Sequence, residues 1–203
     1  MKFSIITIAN QWINLMEFSV LPLHNNPEYL QSCCDLINSE WKRSDTARLR
    51  SLEASCDHLP VSLILLKHKQ LIGHLKLSPI PSISDGCFVE SVVITKNERG
   101  KGYGKLLMKH AEEYSRNYLN LNVVYLSTKG QEEFYRKLGY NECLPVSIYG
   151  GCSSTVKLGQ TDKVGNWNNK KSEFSNSPKA PPMPTPLLGN NTLNSKTYMK
   201  KHL

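Results

Sequence analysis

The chain predicts an α/β (α+β) domain, and three features of the sequence carry that prediction. The β-branched run Val92, Val93, Ile94 and Thr95 leads into the stretch Arg99-Gly100-Lys101-Gly102-Tyr103-Gly104. Beyond it Leu107, Ala111, Tyr114 and Tyr118, with Leu106 alongside, recur at helical spacing. Upstream, apolar runs at residues 61–66 and 71–77 flank the polar Lys67-His68-Lys69-Gln70, the pattern of a hairpin.

The elements follow in order. Residues 17–23 alternate Phe18, Val20, Leu21 and Leu23 as a first strand. Asn26-Pro27-Glu28 opens a helix, with Asn26 as cap and Pro27 in the first turn. Leu30, Cys33, Cys34, Ile37 and Trp41 share a face of it. A second helix starts after Ser44 and runs through Leu49 and Leu52, and Leu59-Pro60 breaks the chain before the hairpin. Pro79, Pro81 and Asp85-Gly86 form the next connection. The central strand, the glycine stretch and a helix to about Asn120 come next. A short strand at 123–126, a short helix at 131–138 stopped by Gly139, and a strand at 140–149 complete the run.

A strand that turns through glycines into a helix N-terminus is an anion site. The glycines let backbone N–H groups approach a phosphate, and the helix dipole favours negative charge there. A phosphate-binding P-loop needs Gly where Arg99 stands and Ser or Thr where Leu106 stands. A dinucleotide fingerprint starting at Gly100 needs Gly where Lys105 stands. Both fail, and Arg-x-x-Gly-x-Gly remains.

Composition bounds the rest. With 203 residues and 39% hydrophobic content, the chain suits one domain with an appendage. Its net charge is +8, but residues 150–203 hold eight lysines against Asp162 and Glu173. That leaves +2 for the first 149 residues, which is not the basic footprint of a nucleic-acid binder. Six cysteines form no C-x-x-C pair, so no metal site is expected, and we read them as reduced thiols of a cytoplasmic protein. No run is long enough to span a membrane. Residues 1–15 read as a leader outside the fold. Residues 159–194 are rich in Asn, Ser and Pro, and residues 179–187 form a polyproline II segment.

The loop Arg99–Gly104 resembles the pyrophosphate loop of the GNAT acetyltransferases. The element order over residues 16–149 matches the arrangement of that family. The stretch from Ile37 to Leu52, residues 92–104, "FYRKLGY" and the Pro-rich insertion resemble more closely the actin N-terminal acetyltransferase family. The resemblance implies a mixed, mostly antiparallel central sheet flanked by helices over residues 16–158. Residues 159–194 then become a Pro-rich loop and residues 195–203 a last strand returning to the sheet. It implies acetyl-CoA as co-substrate, the processed acidic N-terminus of actin as acceptor, and profilin as a partner of residues 179–187. The alternatives are a GNAT enzyme acting on lysine or a small amine, and a non-catalytic Pro-rich scaffold.

Candidate site residues follow. Arg99, Gly100, Lys101, Gly102, Tyr103, Gly104 and Lys105 would hold the diphosphate. The edge at Val92, Val93 and Ile94 would pair with the pantetheine amides and polarise the thioester carbonyl. The resemblance adds Thr128 and Gln131 to the cofactor set and Leu21 to the acceptor set. Tyr135 is either the proton donor to the departing sulfur or a packing tyrosine beside Phe134 and Tyr140. The base is Glu90, acting through water, or His74, or neither is needed, because an α-amine has an ordinary pKa of about 7.7–8.0. Trp41, Arg43, Ser44, Asp45, Thr46 and Arg48 form the acceptor site. Arg43 and Arg48 would grip successive carboxylates, with the N–H donors of a helix start beside them. Lys76 or His74 would add a further positive contact. Trp41 is either the wall of that pocket or a core anchor.

Overall fold

The computed structural model describes residues 18–149 and 196–203. All belong to one of two compact units, Met1–Gly151 with Lys196–Leu203; the other is Cys152–Ser195. The leader at 1–15, the loop at 159–194 and its Pro-rich segment at 179–187 lie outside the described residues.

Among the described residues seven strands form one sheet in the order β1-β2-β3-β4-β5-β7-β6. They are β1 (Phe18–Pro22), β2 (Val61–Lys67), β3 (Gln70–Ile80), β4 (Ile83–Ile94), β5 (Val123–Thr128), β6 (Asn141–Glu142) and β7 (Thr197–His202). Among these described strands only β4 and β5 pair in parallel, so the sheet is mixed and mostly antiparallel. The helices are α1 (Leu30–Asn38), α2 (Asp45–Glu53), α3 (Tyr103–Asn117) and α4 (Glu132–Arg136).

Two apolar clusters occupy the two faces of the sheet. Leu63, Leu65, Leu75, Leu77 and Leu126 pack with Leu107, Met108 and Ala111 of α3. Ile64, Leu66 and Val93 pack with Cys33, Cys34 and Ile37 of α1 and Leu52 of α2. Alternation along β2 sends odd positions to one cluster and even positions to the other, as period-two geometry requires.

The hairpin turns at His68 and Lys69, which have φ of 49° and 63°, both left-handed as a tight hairpin turn demands. The connection expected at Pro79, Pro81 and Asp85-Gly86 is shorter than the sequence suggests. Both strands run on, and only two residues separate Ile80 from Ile83. Pro79 is accommodated in β3 beside an irregularity between Pro79 and Ile80. Asn26 does not cap: its amide donates back to Pro22 O at 2.9 Å, and Pro27–Tyr29 form a 3-10 turn before α1. Ser44 does cap α2, accepting from the N–H of Ala47 at 3.3 Å. α3 ends at Asn117, before Asn120, whose φ of 53° is left-handed. The strand expected at 140–149 reduces to Asn141–Glu142. After Cys143 the chain leaves β7, Leu144 and Tyr149 stand exposed, and Pro145 offers no N–H to a ladder.

One irregularity positions the site. Lys76 faces Glu90 and His74 faces Val93, so Leu75 alone spans Ser91 and Val92. Ser91 takes φ of 54°, the left-handed conformation of a bulged residue. β4 pairs with β5 only from Gly86 to Val89. Beyond the bulge the two strands part, and the outward backbone groups of residues 92–94 face an open cleft.

Candidate active site

The cleft opened by the parting of β4 and β5 has a volume of about 520 Å³. Val92, Val93 and Ile94 form one side, and Gly100, Gly102, Tyr103, Gly104 and Lys105 one end. Arg99, Gln131, Phe134 and Tyr135 also line it. Gly102 is the N-cap of α3 at φ of 87°, Gly100 has φ of 77°, and a Cβ at either would meet nothing within 4 Å. The glycines therefore serve the backbone conformation. A glycine cap contributes no side chain to the first-turn N–H donors of α3, which stay directed at an incoming anion.

Arg99 is partly committed within the protein. Its Nε donates to Ile94 O at 2.8 Å, and its terminal nitrogen pairs with Glu40. Lys101 turns to Glu98 at 3.1 Å and does not line the cleft.

A second cleft of about 440 Å³ runs along Phe88–Val92 of β4 and Leu126–Thr128 of β5. Glu90, Ser127, Thr128, Lys129 and Lys196 line it, and it shares Trp41, Val92, Gln131 and Tyr135 with the first. Thr128, expected with the cofactor groups, thus lies in the second cleft. Tyr135 stands where the clefts meet. It is 9% exposed, and burial pushes its hydroxyl pKa up to about 12. Its ring meets Phe134 and Tyr140 edge-on at 5.0 and 5.8 Å, so it is held by packing as well as lining both clefts.

Glu90 accepts a hydrogen bond from the Ser78 hydroxyl and presents to the second cleft. His74 does not suit the role of base. It is 1% exposed, and burial, with the charges of Lys76 and Arg48 adding, lowers its pKa to about 4. Ring Nδ1 lies 3.3 Å from Ser91 O, which can only accept, so Nδ1 carries the proton. Among the described residues Nε2 has no partner. His74 therefore braces the bulge as a neutral imidazole.

Trp41 follows α1 rather than belonging to it. It is 49% exposed and lines both clefts, so it is a wall and not a core anchor. The other residues of the basic stretch lie outside both clefts. Ser44 is spent on its cap, Asp45 accepts from Asn38 Nδ2 at 2.7 Å, and Thr46 is exposed in the first turn of α2. Arg48 donates to Trp41 O at 2.7 Å and to Asn38 Oδ1 at 3.1 Å. Arg43 is exposed, and its charge is felt at Arg48. Lys76 donates to Ser51 Oγ at 3.0 Å. Leu21, on β1 at the far edge of the sheet, packs with Leu23 and α1 and reaches neither cleft.

The sequence reading missed Glu40, Glu98 and Phe134 in the first cleft and Lys129 and Lys196 in the second. Lys129 and Phe134 flank residues already singled out, which was the available signal. Lys196 begins the stretch expected to return to the sheet, but that expectation named no neighbour for it, and it reaches the cleft through the pairing of β7 with β5.

The sequence model of the Acetyltransferase (GNAT) family matches residues 28–140, more than half of the chain, and the chain belongs to that family. Among curated proteins it is similar to mouse (Mus musculus) N-alpha-acetyltransferase 80, at 36% identity over 127 residues. The match covers 59% of this chain and spans 40% of the length of that relative. Among solved structures, a mutant spermidine N-acetyltransferase from Vibrio cholerae superposes with a TM-score of 0.52 at 20% identity. It covers 62% of this chain and 80% of that one. An aminoglycoside 6'-N-acetyltransferase complexed with coenzyme A gives a TM-score of 0.55 at 19% identity, covering 63% and 86%. These likenesses show the GNAT fold. The family uses acetyl-CoA, and the first cleft fits it: an open strand edge for amides, an uncapped helix start for phosphates, and apolar walls between.

Proposed function

We propose that this domain transfers acetyl from acetyl-CoA to the α-amine of an acidic protein N-terminus, of the kind that processed actin presents. The observation that carries the reading is the meeting of the two clefts at Trp41, Val92, Gln131 and Tyr135. A donor in one reaches an acceptor in the other. Similarity to a protein named as an N-alpha-acetyltransferase supports an α-amine as acceptor. Lys129 and Lys196 in the second cleft, with exposed Arg43 just beyond Trp41, support an acceptor that carries carboxylates.

Acetyl-CoA supplies an acetyl thioester when bound. The N–H groups at residues 92–94 hold the pantetheine amides and polarise the carbonyl. The Tyr135 hydroxyl donates to the departing sulfur, and Glu90 accepts the amine proton through water. Little base strength is needed, because a peptide α-amine with pKa of about 7.7–8.0 is partly neutral near pH 7. We further assign the Pro-rich residues 179–187 to a profilin-type partner and place the protein in the cytoplasm, where its free thiols persist.

The test is acetyl transfer to peptides beginning Asp-Asp-Asp, Glu-Glu-Glu, Met-Leu and Ser-Ser. The acidic pair should be preferred, and the preference should shrink as salt screens the lysines. Equal rates on all four would reject the acidic acceptor. Transfer to lysine side chains with blocked N-termini would reject the α-amine.

A further inference from the structure

Arg48 came out of the sequence as a receptor for substrate carboxylates, yet the structure gives its guanidinium other partners. Nε donates to Asn38 Oδ1 at 3.1 Å, and a terminal nitrogen donates to the carbonyl of Trp41 at 2.7 Å. Asn38 is itself fixed, its amide donating to Asp45 Oδ1 at 2.7 Å and to Arg43 O at 3.0 Å. The N–H of Arg48 donates to Ser44 O at 2.9 Å and that of Trp41 to Ile37 O at 2.9 Å. Residues 39–44 thus form a closed strap between α1 and α2, with Arg48 reaching back across its mouth.

Trp41 is the side chain this strap presents, and it lines both clefts. At 49% exposure little packing holds it, so its backbone must be held instead. The other connection of the strap runs to the cofactor side, where Glu40 pairs with Arg99.

We propose that Arg48 is a positioning residue: it fixes the backbone of Trp41 and thereby the wall common to donor and acceptor clefts, and it does not read substrate charge. The planar fork of arginine satisfies two acceptors in fixed directions, which the point charge of lysine does not reproduce. Charge reading is left to Arg43 and the lysines of the second cleft. The inference rests on the two-cleft reading of the site, but not on the acceptor being acidic.

The experiment uses the full chain with Arg48→Met, Arg48→Lys, Arg43→Met, Trp41→Leu and the Trp41→Leu/Arg48→Met pair. Steady-state kcat and KM are measured on an acidic and a neutral peptide, with thermal melting to verify folding. Arg48→Met should lower kcat/KM by about tenfold on both peptides, leaving their ratio unchanged, as expected of a displaced wall. Arg48→Lys should behave as Arg48→Met despite keeping the charge. Arg43→Met should lower the ratio. In the pair, Arg48→Met should add little to Trp41→Leu, because the two act as one unit.

A second arm needs no acceptor. In a background carrying Trp12→Phe and Trp167→Phe, acrylamide should quench Trp41 fluorescence more readily once Arg48 is Met or Lys. Four results overturn the inference: a loss confined to acidic peptides, rescue by lysine, additivity in the pair, or unchanged quenching. If the parent chain acetylates neither peptide, the proposed acceptor fails while the quenching arm still decides the role of Arg48.

Discussion

Replacing Tyr135 with phenylalanine removes one oxygen from the junction of the two clefts and tests what that oxygen does. Burial holds the phenol near pKa 12, while a departing thiol has an ordinary pKa of about 8.5. Complete proton transfer to the thiolate would run uphill by about 3.5 in pKa, on the order of 5 kcal/mol. The favourable contribution is therefore a hydrogen bond to sulfur as negative charge develops. Such a bond to a charged group is worth about 1.5–3 kcal/mol, so Tyr135→Phe should slow the chemical step roughly 10- to 150-fold. The ring contacts with Phe134 and Tyr140 survive the change, so folding and coenzyme A affinity should hold. The sign of the pH dependence is also set: burial raises the pKa, so the hydroxyl stays protonated across neutral pH. The parent should then show no alkaline limb from this residue below about pH 11. The assay is the single-turnover rate at saturating acetyl-CoA and peptide, from about pH 6 to about pH 10. A rate within about twofold of the parent would refute the hydrogen-bond argument. So would an alkaline limb below about pH 10 that vanishes in Tyr135→Phe.

Two further predictions concern groups beside the site. His74 has its pKa lowered by burial from 6.5 to about 4, so between those values the unfolded chain binds a proton that the folded chain refuses. Its contribution to stability is present above about pH 6.5 and lost as pH falls towards 4, on the order of 3 kcal/mol in all. Urea melts at pH 7, 5.5 and 4.5 should show this slope in the parent and a shallower one in His74→Gln; identical slopes would mean that the imidazole is not buried neutral. Glu40 is paired with Arg99 and would compete with an incoming phosphate for it, so Glu40→Gln should tighten coenzyme A binding several-fold by calorimetry. Weaker binding would show that the ion pair instead pre-organises the loop.

Local rules served the sequence reading well wherever a single short stretch decided the outcome. Ser44 caps its helix because the preference of a cap residue lies in its own side chain and the three residues after it. Asn26 had the same signature but found a nearer acceptor at Pro22 O, and the helix began with a 3-10 turn. The strand expected at 140–149 failed for a related reason: its residues are apolar enough for a strand, but beyond Cys143 no strand among the described residues is paired with them.

By itself the sequence determined the glycine turn, because positive φ at Gly100 and Gly102 and the helix behind them are properties of adjacent residues. It also determined the hairpin and the two-sided apolar patterning of β2. Only the tertiary structure decided which side chains meet. The bulge at Ser91 depends on register between β3 and β4. Lys196 enters the second cleft because β7 adds to the sheet beside β5. Arg48, basic and adjacent to a predicted pocket, turned inward because Trp41 O and Asn38 Oδ1 stand within reach. The charge of a residue is written in the chain, but its partner depends on the path of the backbone around it.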